Sequence, residues 1–133
     1  WPNNGEMFIQ FGKSCQALDE IENAILAYEK AVALKPTNLE WLYLFTDTLI
    51  GLPGVKQGLD QDSKLYPAFL RARKLLENQL LDGQKATLRT QILLGEVLLI
   101  LGDSALALDL FRVLLDDPEV AKSDSLWQIQ AGL

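Results

Sequence analysis

The sequence predicts an all-α protein, a solenoid of three antiparallel helix pairs with a C-terminal capping helix, and three observations predict it. Phe8-x2-Phe11-Gly12-x2-Cys15 runs into Ala24-x3-Tyr28-x2-Ala31-x4-Pro36, the outline of a helical hairpin. Gln91-x2-Leu94-Gly95-x2-Leu98 and Ala107-x3-Phe111-x2-Leu114-x3-Pro118 restate it, with 12 residues from glycine to alanine in both copies. Between them a degenerate copy carries Leu42-x2-Phe45-Thr46-x2-Leu49 and then Ala72-x3-Leu76. Two bulky apolar residues followed by glycine set a stripe beside bare backbone, where a second helix approaches closely. Ala24 and Ala31 offer small contacts on that second helix, Tyr28 fills the space between them, and Pro36 ends it for want of an amide.

Taken in order, Trp1-Pro-Asn-Asn-Gly5 is turn-type, and the first helix is expected from about Glu6 to Leu18. Asp19 with Glu22 predicts a cap for the second helix, about Glu20 to Leu34. Thr37 with Glu40 repeats the pattern and opens the third, about Asn38 to Ile50. Gly51-Leu-Pro53-Gly54, Gly58 and Asp60-Gln-Asp62-Ser63 then break the helical period, and Tyr66-Pro67 restarts it with proline in the first turn. On the ruler of the first hairpin, with a period of about 34 residues, Ala72 falls about 14 residues late. A loop insertion at 53–66 accounts for the delay. The fourth helix is expected from about Pro67 to Leu81, the fifth from Leu88 to Leu101, and a sixth between a cap at Asp103 and the stop Asp116-Asp117-Pro118. A seventh, 123–133 with Leu126, Trp127 and Ile129, would cover the apolar end of the stack. The chain therefore reads as one domain over 1–133: repeat one about 5–38, repeat two about 39–86 with its insertion, repeat three about 88–119, and the cap.

Composition narrows the function. At 133 residues and 49% hydrophobic, the chain has material for a sizeable core. A net charge of −6, from 12 basic and 18 acidic residues, argues against nucleic acid or an anionic membrane surface as partner and favours a basic or neutral one. With no histidine and one cysteine, internal disulfides, His or multi-Cys zinc sites, Ser-His-Asp triads and Cys-His dyads are excluded. No stretch is long enough to span a bilayer, since the most apolar, Ile92–Leu101, is short and contains Glu96. Cys15 sits where the hairpin motif buries a side chain and reads as a core residue. Asp60-x-Asp62-x-Lys64 lacks the sixth-place glycine and closing glutamate of a calcium loop and reads as solvated turn. Gly51, Gly54 and Gly58 lack the spacing and the Lys-Ser/Thr ending of a phosphate loop, so no cofactor is expected. A start at Trp1 suggests a piece of a longer protein.

The order and spacing of the motif resemble the tetratricopeptide repeat, W-x2-L-G-x2-Y followed by A-x3-F and P, with Phe8 for Trp, Phe11 for Leu, Cys15 for Tyr and Tyr28 for Phe. In that family the first helix of each pair lines a concave groove that holds a partner. The resemblance therefore implies a groove of Glu6, Ile9, Lys13 and Gln16 on the first helix, and of Glu40, Tyr43, Asp47 and Ile50 on the third. Arg89, Ile92, Glu96, Leu99 and Ile100 would continue it on the fifth. Such a wall mixes apolar patches with an acidic line from Asp47 and Glu96, and suits an amphipathic helix or an extended peptide with a basic residue. The subgroup that clamps chaperone tails carries an asparagine after the first glycine, a lysine four residues earlier and a second asparagine in the next repeat. Lys13, Ile9 and Leu44 stand at those places, so that clamp is missing. Over about residues 7–118 the interrupted middle repeat is also similar to the periplasmic tetratricopeptide domain of bacterial cytochrome c maturation proteins, which present apocytochrome for haem attachment. The leading expectation is a non-catalytic scaffold for a protein or peptide partner, with that maturation role, self-assembly through the apolar fifth helix, or service as an enzyme's accessory domain as alternatives.

Overall fold

The computed structural model describes residues 4–81 and 87–116. Its elements are α1 (Asn4–Ala17), α2 (Ile21–Leu34), α3 (Leu39–Ile50), a single 3-10 turn (Val55–Gln57), α4 (Tyr66–Leu81), α5 (Leu88–Ile100) and α6 (Ser104–Leu115). The described residues are all helical or irregular, without a strand, and each helix packs on the next in the chain. The packing of α1 on α2, α2 on α3, α3 on α4, α4 on α5 and α5 on α6 is repeat-like, and α3 also touches α5 directly. The seventh helix expected at 123–133 lies outside the described residues.

The glycines of the motif do what their spacing suggested. A β-carbon added to Gly12 would fall inside the ring of Tyr28, and one added to Gly95 inside the ring of Phe111. Each glycine faces an aromatic 16 positions later, and both rings are fully buried. In the middle pair the corresponding positions are Thr46 and Leu76, both fully buried. The threonine donates its hydroxyl to Leu42 O at 2.8 Å, so its polar atom is satisfied inside the core. A third close approach, Gly5 against the indole of Trp41, brings α1 beside α3.

The helix ends depart from expectation in three places. Asp19 does not cap α2. It occupies the left-handed region at φ 63°, its amide bonded to Gln16 O at 3.0 Å and the next amide, of Glu20, to Cys15 O at 2.8 Å. Those two bonds form a Schellman turn, which closes the C-terminus of α1 rather than opening α2. The turn recurs after α5 with glycine in the same role: Gly102 has φ 93°, its amide reaches Leu99 O, and that of Asp103 reaches Leu98 O. Asn38, not Thr37, caps α3, its side-chain oxygen accepting from Trp41 N at 3.1 Å. Asp103 stands at the N-cap of α6 but makes no capping bond, because its carboxylate is engaged by Arg73 of α4.

The insertion belongs to the core. Val55 of the 3-10 turn is buried, and the amide of Leu59 donates to Ile100 O at 3.1 Å, which fastens the loop to α5. This explains why α5 is apolar nearly all round. Eight of its 13 residues are buried because it has α3, α4, α6 and the 3-10 turn as neighbours. Of the apolar side chains of α5 only Leu88 and Leu99 are half-buried, and the others are buried.

Candidate partner-binding surface

The groove positions implied by the repeat fall into two groups. Lys13, Gln16, Asp47 and Arg89 are exposed, and Tyr43, Glu96 and Leu99 are half-buried. Ile9, Ile50 and Ile92 are buried in the core cluster and form no apolar patch on the wall. Their helices have more neighbours than a bare hairpin offers. Gln16 is also less free than expected, since its side-chain oxygen accepts from the Tyr28 hydroxyl at 2.6 Å. Burial first, and Cys15 second, push that phenol up, so Tyr28 stays a neutral donor.

What the structure brings together lies on α3, the start of α5 and the insertion. Thr87 caps α5 by accepting from Thr90 N at 3.1 Å. The Tyr43 hydroxyl shares hydrogen bonds with both threonine hydroxyls, at 2.5 Å to Thr87 Oγ1 and 2.6 Å to Thr90 Oγ1. One turn further along α3, both carboxylate oxygens of Asp47 accept from Nη2 of Arg89, at 2.5 and 2.6 Å. Both partners of this pair are nearly half exposed, so it contributes at most about 1 kcal/mol and opens readily.

Glu96 differs from its surroundings. It is half-buried, and among the described residues no hydrogen bond or ion pair engages its carboxylate. Burial raises its pKa above the ordinary value, Lys56 and Arg89 pull it back, and Asp47 pushes it up again. Lys13, Asp47 and Glu96 occupy equivalent positions in the sequence motif on α1, α3 and α5, and the charge of Asp47 acts on Glu96. A cleft of about 390 Å³ is lined by Asp47, Ile50, Leu52, Lys56 and Gln57 together with Gly51 and Gly54.

Thr87, Thr90 and Lys56 were not among the expected groove residues. Thr87 and Thr90 carried a usable signal, a threonine three residues before another at a helix start. Lys56 carried none, because its position depends on how the insertion folds back. At Asp60 the carboxylate accepts from Asp62 N at 3.0 Å, an exposed turn of the expected kind. No helix among the described residues is long and apolar enough to cross a membrane. Comparison with protein-family models, with curated proteins and with solved structures gives no match to this chain.

Proposed function

We propose that the chain is a tetratricopeptide-type helical repeat, a non-catalytic scaffold that holds a partner segment along α1, α3 and α5 and recognises a basic side chain there. The observation that carries this reading is the half-buried carboxylate of Glu96, which no hydrogen bond or ion pair engages among the described residues, beside the weak Asp47–Arg89 pair. A carboxylate removed from much of its water gains more from an incoming ammonium or guanidinium than an exposed one does. Asp47 supplies a second acceptor if Arg89 swings away. The polar exposed wall favours an extended peptide over an amphipathic helix, whose apolar face would find Ile9 and Ile92 already covered.

Fluorescence anisotropy with labelled random peptides that carry one fixed lysine, against the same pool with norleucine there, tests the reading. The lysine pool should bind selectively, and Glu96→Gln should weaken it by roughly 10- to 100-fold, the worth of a hydrogen bond to a charged group. Equal binding of the two pools would remove the basic-residue reading. No binding of either would remove the groove itself.

A further inference from the structure

Among the described residues, the first and last helices, α1 and α6, both expose apolar side chains. Phe11 on α1 holds the place that Phe45 holds on α3 and Leu94 on α5. Phe45 and Leu94 are 0% and 4% exposed, on helices that pack against α2 and α4 of the preceding pair, whereas Phe11 is 58% exposed. Met7, one turn before it, and Leu18, two turns after, are also exposed and complete a stripe. At the other end Leu108 of α6 holds the place of Ile25 on α2. Ile25, on the helix that packs against α3, is 2% exposed, and Leu108 is 38% exposed. Leu115 repeats the contrast with the fully buried Val32.

We propose that a second copy of this chain covers these ends: the α6 face of one molecule docks on the α1 stripe of the next, head to tail, and reproduces the α2–α3 junction between molecules. The two surfaces are matched because their counterparts in the motif lie on α2 and α3, which pack against each other inside the chain. Charge permits the contact. Glu6 and Lys13 are the only charges on α1, and Asp109 and Arg112 the only ones on α6, so both end helices are neutral in a chain of net −6. A contact between two different surfaces does not close on itself, so copies add in a row rather than stopping at a dimer. Repulsion between acidic copies opposes growth at low salt, and screening relieves it.

Sedimentation velocity and light scattering on the 133-residue chain test this. The mean mass should rise with concentration without a plateau at two copies, and rise further from about 0.02 to about 0.3 M salt. Phe11→Glu and Leu108→Glu should each be monomeric alone. Mixed in equal amounts they should form a 1:1 complex and nothing larger, because each retains one intact end. Phe11, Leu18 and Leu108 are all exposed, so circular dichroism should show unchanged helicity, and Leu18→Glu provides a second block just past the end of α1. A Leu108→Glu variant that still dimerises while Phe11→Glu does not would overturn the proposal in favour of symmetric α1 pairing. A wild type that is monomeric at every concentration and salt, as when residues 117–133 of the same chain occupy α6 instead, also overturns it, and so does a mixture that stays monomeric.

Discussion

Three residues carry a physical load that their neighbours do not share: Gly95, Asp19 and Glu96. At Gly95 the absence of a β-carbon admits the Phe111 ring, as at Gly12 it admits Tyr28. Gly95→Ala and Gly12→Ala should each destabilise the fold by about 1–3 kcal/mol in urea unfolding, because a fully buried ring has little room to move. Asp19 bears the opposite strain. Its left-handed backbone suits glycine, which the equivalent turn uses at Gly102, so Asp19→Gly should raise stability by up to about 1 kcal/mol. A loss of stability there would mean that the aspartate side chain contributes more than its backbone costs. Glu96 binds a proton more tightly in the folded chain than in the unfolded one, since its pKa is raised above the ordinary 4.5. The sign follows: its contribution to stability is fully present below that ordinary value and is lost as pH rises through the raised one. Urea titrations from acid to neutral pH should show Glu96→Gln without this loss, the gap between the two proteins widening through the window and then staying constant. A gap that does not change with pH would show the carboxylate to be unperturbed.

At the scale of the element, the middle pair shows how a degenerate repeat stays packed. Thr46 in place of glycine is matched by Leu76 in place of an aromatic, so the volume gained on α3 is given up on α4. Leu76→Phe alone should cost about 1–3 kcal/mol by overpacking, and adding Thr46→Gly should recover much of it. Additive losses in the double mutant would show that the two sites do not share a contact. The polar junction between the second and third pairs is a related adjustment. Arg73 stands where Ile25 stands in the first pair, and it meets Glu77 on its own helix and Asp103 at the start of α6. Its guanidinium pKa is held up by the hydrogen bond to Glu77 first and by Asp103 after that, against the effect of burial.

For the whole molecule, the insertion decides which faces remain free. By packing Val55 on α5 and tying Leu59 to Ile100, it supplies the extra neighbour that α5 needs and brings Lys56 near Glu96. Val55→Ala should cost about 1–3 kcal/mol and should raise hydrogen exchange at the Leu59 amide, while the α1/α2 pair keeps its protection. Unchanged exchange at Leu59 would mean that the loop holds its place without that side chain. Gly54 in the same loop has φ 83°, so alanine there meets open space but an unfavourable backbone.

Spacing alone determined the helices, their order, the break in the middle and the two glycine–aromatic pairs, because period and residue size act within one hairpin. It also gave Asp47 and Glu96 equivalent places on α3 and α5. Only the tertiary structure decided that Ile9, Ile50 and Ile92 are core rather than wall, that Arg89 reaches Asp47 from 42 residues away, and that the charge of Lys56 acts on Glu96. The reason is physical: which residues share a helix face follows from local sequence, but how far each is buried depends on what distant segments place against it. The same distinction separates Phe11 from Phe45, equal in sequence spacing and opposite in exposure, because α2 packs on the helix that carries Phe45.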